Sequence, residues 1–451
     1  MAGGIAKRLG ALAVATALSL ALSLPTSART ILRDAELERS LRELARPIIA
    51  AAGLSPAQID ILVMEDSSLN AFVLDSGTIF IHSGLLLKME RPEMLQGVIA
   101  HEVAHIANGH LARRPINAQN ARTAAMAGLA LSALVASQSP AAAAGLAIGS
   151  QSSAQRVFLS HTRAEEASAD QSALRYMARA GVPPQGMVDA LEIFSGQEAL
   201  SAARQDPYVL SHPLSRDRLR AARGHAAAQG KGIEGTDAAS AYWYARAHAK
   251  LSAYMRNPSW TLRRIGKGDS SDPALIARAV ANNQARQFQP ALAAAEQLIA
   301  KRPEDAYARE LKAWILMEAR QFDASAATYA QAVNLAPNEP LILAAYGSAL
   351  LAQDTAASNT KALEILERSR ARDTLNPSVL RDLGLAYSRA GQPGMASVVT
   401  AERYALAGRL QDAEVHAKRA SGLLPRGSTG WRRAQDIVLA AETQSKRKTR
   451  Q

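Results

Sequence analysis

Residues 98–110 read Val-Ile-Ala-His-Glu-Val-Ala-His-Ile-Ala-Asn-Gly-His. His101 and His105 stand four apart, so on a helix turning about 100° per residue they share nearly one face. Two imidazoles so placed can bind one zinc ion, and Glu102 beside them can reach the ion's water. Ile99, Ala100, Val103, Ala104 and Ile106 make this helix apolar and mark it for burial. Three ionisable side chains buried there are costly unless an ion or partners satisfy them. His-Glu-x-x-His fixes few positions, and a chance match on a helix is the competing reading. A third ligand removes that alternative. Zinc open to water takes it from a separate helix, often as Glu. Residues 162–170, Thr-Arg-Ala-Glu-Glu-Ala-Ser-Ala-Asp, supply Glu166 and Asp170 on one helical face. Glu166 can bind the ion while Asp170 accepts a hydrogen bond from a ligand histidine and fixes its tautomer. Glu165 is the rival carboxylate, assigned to the solvated face. An acidic surface stripe pairing with Arg163 is the alternative role for the segment.

These residues need elements to hold them. Thr30–Ala51 reads as a helix with Leu37, Leu41, Leu44 and Ile48 at helical spacing, and Ser55-Pro56 caps a short turn. Ile59–Met64 reads as a strand. Asn70–Leu74 and Thr78–His82 flank Asp75-Ser76-Gly77 as a hairpin, with His82 a hairpin residue rather than a ligand. Pro92 opens the helix that carries the histidines. A strand just before such a helix is an edge against which an extended substrate can lie. Ala118–Gly149 is Ala-rich and nearly uncharged, broken at Ser137–Pro140. Neither half reaches the ~20 residues of a spanning helix. It reads as two packed helices over the site, or as an apolar flap that touches unfolded protein or lipid.

The 451 residues suffice for two or three domains. Abundant Ala and Leu with 4% aromatics favour helices over a β-sandwich. The absence of cysteine excludes disulfides, thiolate ligands, a cysteine nucleophile and a lipid-modified N-terminal cysteine. The net charge of +12, part of it in Lys446–Arg450, comes without a nucleic-acid motif. Solubility and membrane-surface contact are the readings it favours. Lys7-Arg8, an apolar run from Leu9 to Leu24, and Pro25-Thr26-Ser27-Ala28 form a leader cut after Ala28, with export to a periplasm.

Beyond Gly224 a Gly/Ala-rich linker runs to about Ala238, followed by a helix with Tyr242, Trp243, Tyr244 and Leu251. Gln287-Phe288 recurs as Gln321-Phe322, and Arg302-Pro303 is echoed by Ala336-Pro337, both 34 residues on. That period is the tetratricopeptide signature. The next closing proline, Pro377, is 40 residues beyond Pro337, which places an insertion at Asp354–Asn359. About four repeats follow from these marks, the later ones irregular. Such repeats stack into a concave surface that binds polypeptide.

Taken together, His101-Glu102-Val103-Ala104-His105, Arg163-x-x-Glu166-x-x-Ala169-Asp170 and Ser211-His212-Pro213-Leu214 resemble the M48 family of zinc metallopeptidases. Asn70-Ala71-Phe72 and His82-Ser83-Gly84-Leu85 add to the likeness, which is close over residues 30–225 and looser in the repeats. It points to the periplasmic type that carries C-terminal tetratricopeptide repeats and enhances β-barrel assembly. Thr162 stands where the family usually has Ser.

The resemblance implies a mainly α fold with a small β-sheet, a gluzincin-type peptidase domain followed by an α-solenoid. It implies one zinc held by His101, His105 and Glu166, Glu102 as general base, and His212 able to approach the metal from a loop as fourth ligand or gate. Arg218 and His212 are the candidate oxyanion donors. The expected layout is a leader over 1–28, peptidase domain 29–224, linker and connecting helix 225–271, repeats 272–440 and a basic tail 441–451. The expected activity is periplasmic endoproteolysis of misfolded or misassembled envelope proteins, with repeats recruiting substrates or outer-membrane assembly machinery. Contact with a membrane surface is a further expectation, and nucleic acid is not an expected partner. The alternative is a chaperone or scaffold with a mostly silent site, against which an intact Glu102 speaks.

Overall fold

The computed structural model describes residues 30–113, 162–201, 204–233, 235, 237–266 and 268–448. The expected leader, the Ala-rich stretch 118–149 and the last residues of the tail lie outside them. It is mainly helical, with one four-stranded sheet in the order β1-β2-β4-β3. The strands are β1 (Ile31–Leu32), β2 (Asp60–Met64), β3 (Ala71–Val73) and β4 (Thr78–His82). β1 and β3 run antiparallel to their neighbours, whereas β2 and β4 are parallel. The hairpin stands where alternation places it, and its first strand, β3, is a sheet edge.

The first helix, α1 (Ala35–Ala51), begins five residues later than its apolar spacing suggests. Asp34 caps it by accepting from the Leu37 amide, which frees Ile31 and Leu32 to pair with Met64 and Val63. After α2 (Ser83–Lys88) comes α3 (Pro92–Ala107), buried at every residue from Glu93 to His105. Helix α4 spans 162–179, and α5 (Gln185–Glu192) lies across α3. Their contact is backbone against backbone. A Cβ on Gly97 would come 2.6 Å from Met187 Cα, and one on Gly186 would come 2.5 Å from the Glu93 carbonyl carbon. Two glycines thus set how α3 is held.

α6 (Pro207–Ser211) and α7 (Arg216–Gln229) complete the surroundings of α3. Helix α7 crosses the expected boundary at Gly224 and runs on to Gln229. The next helix, α8 (Ala238–Met255), is no spacer. Tyr244, Ala247 and Leu251 belong to the same core as α1 and α3.

After α9 (Pro258–Arg264), five helix pairs follow: α10–α11 (Asp272–Gln284, Phe288–Lys301), α12–α13 (Ala306–Glu318, Phe322–Leu335), α14–α15 (Pro340–Gln353, Ala356–Arg370), α16–α17 (Pro377–Arg389, Pro393–Leu406) and α18–α19 (Leu410–Leu423, Thr429–Lys448). The first three second helices begin at 288, 322 and 356, so the 34-residue period survives through the polar stretch after Asp354. Arg286, Arg320 and Asp354 occupy equivalent turns with φ of 58°, 60° and 52°. The insertion therefore falls later, after Arg370. Pro377 opens its helix as Pro340 does, 37 residues before it, and Pro337 is not its counterpart. The basic tail also differs from expectation, being helical through Lys448.

The repeats are fastened to the peptidase domain by buried charge. The Arg246 guanidinium, 1% exposed, meets Glu36 Oε1 and Asp305 Oδ2, each at 2.6 Å. Lys250 Nζ lies 2.8 Å from Asp34, 3.2 Å from Glu36 and 3.3 Å from Glu310. Farther along, Arg42 bonds Glu339 at 3.0 Å and Arg33 bonds Asp373 at 2.8 Å. Burial raises the Glu310 carboxyl, Lys250 draws it back, and Asp34 with Glu36 add to the rise, leaving it at about 7. A carboxyl raised in the fold binds a proton there that the unfolded chain has already released, so its contribution to stability falls as pH rises from 4.5 through about 7. Urea unfolding at about pH 5 and pH 7 should show the wild type losing stability between them, and Glu310→Gln losing measurably less.

Candidate metal centre and active site

Helix α3 presents His101 and His105 on one face, their Nε2 atoms 3.1 Å apart. Its C-cap Asn108 ties it to α4, its side-chain amide donating to Ser168 Oγ and Ser172 Oγ at 3.2 Å. Ala169 and Ala173 are fully buried on α4, and their small size lets the helix come close. Glu166 is thereby set with Oε2 at 3.3 Å from His101 Nε2 and Oε1 at 3.4 Å from His105 Nε2. One turn on, Asp170 Oδ1 is 3.0 Å from His101 Nδ1. Glu165 is half-buried and outside this cluster.

The fourth member arrives from α6. Its C-terminal neighbour His212 has Nδ1 3.3 Å from both Glu166 oxygens and from His101 Nε2. The other ring nitrogen faces outward, 3.3 Å from the Ala71 carbonyl on the edge strand and 3.4 Å from Glu102 Oε1. The Tyr208 amide donates to the Leu69 carbonyl at 3.1 Å, so α6 is laced to the chain leading into β3. Ligand atoms of His101, His105, Glu166 and His212 all lie within 4.8 Å of one another.

Arg218 does not stand free to meet an oxyanion. Its Nε and Nη2 grip Asp170 at 2.7 and 2.8 Å, and Nη1 donates to the Pro213 carbonyl at 2.7 Å and lies 3.1 Å from Glu166. The expectation fails because this fork is spent on Asp170. A bidentate pair of this kind fixes a carboxylate in position. Arg218 is thus a support for the support of His101.

These groups are at most 7% exposed: His101, Glu102, His105, Glu166, Asp170, His212 and Arg218. Burial lowers the His101 imidazole, yet Asp170 and Glu166 outweigh it and hold it at about 10. Burial and the neighbouring His101 drive His105 the opposite way, far below its ordinary value. Burial raises Glu166 and Asp170, but His212 and His101 pull the first, and His101 and Arg218 the second, below the usual range. Both oxygens of Glu102 lack a hydrogen-bond partner among the described residues. Three carboxyl groups against one guanidinium, with imidazole nitrogens converging on one point, suit a divalent cation with nitrogen and oxygen ligands. The site fits a metal.

Residues 32–226 match the sequence model of peptidase family M48. This is an M48 peptidase domain. The chain is 26% identical over 372 residues to the beta-barrel assembly-enhancing protease of Escherichia coli K12, across 81% of this chain and 68% of that protein. A putative beta-barrel assembly-enhancing protease of Vibrio cholerae is 28% identical over 196 residues, 44% of this chain and 40% of that one. The E. coli metalloprotease YcaL is 28% identical over 155 residues, 34% of this chain and 57% of that one. The chain is accordingly a metalloendopeptidase, and M48 activity depends on a metal.

Two residues of the M48 domain escaped the sequence reading. Tyr208 is buried with its ring 4.8 Å from His212 and 6.5 Å from His101, and burial together with Glu102 raises its hydroxyl well above its ordinary value. Its only signal was a place one helical turn before His212. His110, five residues past His105, packs its ring against that imidazole. Metal analysis of purified protein should separate the two neighbouring glutamates: Glu166→Gln should lower metal content at least tenfold, and Glu165→Gln should leave it near one per chain.

Proposed function

We propose that the chain is a periplasmic zinc endopeptidase that degrades misfolded or misassembled outer-membrane proteins, with the repeats recruiting substrates or assembly machinery. The observation that carries the chemistry is Glu102: a fully buried carboxyl without a hydrogen bond among the described residues, next to His101 of a convergent His101–His105–Glu166 cluster. His101, His105 and Glu166 would hold the ion. Bound there, zinc would supply Lewis acidity to a peptide carbonyl and to a nearby water. Glu102 takes that water's proton and delivers it to the leaving amine. Asp170, gripped by Arg218, pairs with His101 Nδ1 and so leaves Nε2 as the nitrogen turned to the ion. The edge strand β3 offers its backbone to an extended peptide, which favours unfolded chains over compact ones.

The M48 match and the names of the relatives support the peptidase and its place in β-barrel assembly. The helix pairs support a polypeptide-binding surface. Among the described residues no helix is long and apolar enough to cross a membrane. Glu102→Gln should retain metal and lose hydrolysis of an unfolded substrate by a factor of ~10² or more. If cells carrying that variant handle outer-membrane proteins normally, the scaffold reading replaces this one.

His212 serves as the gate. Its Nδ1 sits where a fourth ligand would, and its Nε2 covers the Ala71 carbonyl that a substrate strand would use. Three protein ligands leave one position for water, and an imidazole there excludes it. Pro213 narrows the loop's freedom, so α6 and His212 move together. His212→Ala should accelerate proteolysis, self-cleavage included, with metal content unchanged. A loss of ~10²-fold in turnover would instead make His212 an oxyanion donor.

A further inference from the structure

His110 is 1% exposed, and its Nδ1 lies 3.0 Å from Nδ1 of His105. The rings are 4.9 Å apart and steeply inclined at 76°, so the contact runs nitrogen to nitrogen rather than face to face. The chain makes this approach in a single turn. α3 ends at Ala107, Asn108 caps it, Gly109 takes φ of 68°, and helix resumes at residue 110. On an unbroken helix a residue five positions on would point about 140° away around the axis. The left-handed glycine returns His110 to the outer edge of His105.

Two nitrogens at this distance must share one proton. Two N–H groups would collide, and two bare lone pairs would leave a buried contact without a hydrogen bond. The inner nitrogen of His105 decides which ring donates. His105 Nε2 faces the cluster, 3.1 Å from His101 Nε2 and 3.4 Å from Glu166 Oε1. A cation held by that nitrogen requires its lone pair, which places the His105 proton on Nδ1. His110 Nδ1 must then be bare, with the His110 proton on Nε2.

We propose that His110 is the positioning residue of His105, accepting its Nδ1–H and so fixing the tautomer and ring angle that aim Nε2 at a divalent ion. The inference rests on the metal reading above. It makes the two histidines of α3 unequal. His101 is held by a carboxylate, Asp170, itself neutralised by Arg218. His105 is held by a neutral ring, which orients it without adding another buried negative charge to Glu102, Glu166 and Asp170.

The test uses the full-length protein as wild type, His110→Leu and His110→Asn. Asparagine keeps an acceptor near the position of Nδ1, whereas leucine keeps only bulk. Zinc affinity is measured by competition with a chelator, and the visible spectrum of the Co²⁺-substituted protein reports ligand geometry. His110→Leu should weaken zinc binding by about 10–100-fold and alter the Co²⁺ band, with the metal-free melting temperature like that of His110→Asn. His110→Asn should stay within about threefold of wild type. Wild-type affinity in the leucine variant, or equal losses in both variants, overturns the proposal. Wild-type protein that binds neither Zn²⁺ nor Co²⁺ removes the metal reading itself, and this inference with it. A direct measurement covers a leucine variant that does not fold. Zinc-loaded wild type with ¹⁵N-labelled histidine should show His110 protonated at Nε2 and a scalar coupling between the two Nδ1 nitrogens across the hydrogen bond. His110 protonated at Nδ1, or no such coupling, overturns it.

Discussion

Burying an ionised group without a partner costs several kcal/mol, and the M48 domain gathers three imidazoles, three carboxyls and a guanidinium within one closed volume. Every element near the cluster answers to that cost. α3 supplies His101, Glu102 and His105; α4 supplies Glu166 and Asp170; the segment after α6 supplies His212; α7 supplies Arg218. Among the described residues Glu102 differs from the other carboxyls in that neither oxygen has a hydrogen bond, His212 Nε2 at 3.4 Å being its nearest basic group. A carboxyl left open beside ligating groups is suited to handling a proton. The chain therefore spends its stabilising contacts on the groups that must stay still.

The same economy explains the packing glycines. α3 carries the two histidines and also packs on α5, with Gly97 one turn before His101. Gly97 and Gly186 let the two backbones touch. Pairing of β3 with β4 then leaves an edge strand beside the histidine helix, with its Ala71 carbonyl turned toward the site.

What sequence could show was whatever repeats at a fixed local spacing. His101, His105, Glu166 and Asp170 were legible because an interval of four means one helical face. The first helix pairs were legible because Gln287-Phe288 returns 34 residues on as Gln321-Phe322, whereas the equivalent turn at Asp354 carries no such mark and reads as an insertion. Long-range competition was not legible. Ile31 and Leu32 fit the helical pattern of α1, yet Met64 and Val63 claim them for the sheet. Arg218 looks like any helix-start arginine until Asp170, 48 residues away, takes its fork. Pro337 and Pro377 look alike in sequence, although one lies in a loop and the other opens a helix. The Gly/Ala run after Gly224 reads as a linker because composition cannot tell a flexible stretch from an alanine helix such as α7. His212 was found by family likeness alone, since no spacing links it to a histidine 111 residues away.

The contacts of Arg42 with Glu339 and of Arg33 with Asp373 reach the two ends of the third helix pair, well beyond the junction at Arg246. The solenoid is therefore braced through its third pair rather than hung from one end. A solenoid braced this way would not swing toward the catalytic site. Under the proposed function, a chain held by the repeats would have to cover the remaining distance with its own slack, and the span from grip to site would work as a ruler. On that reading a polypeptide with a long unstructured stretch would reach the site, and one folded close to its grip would not.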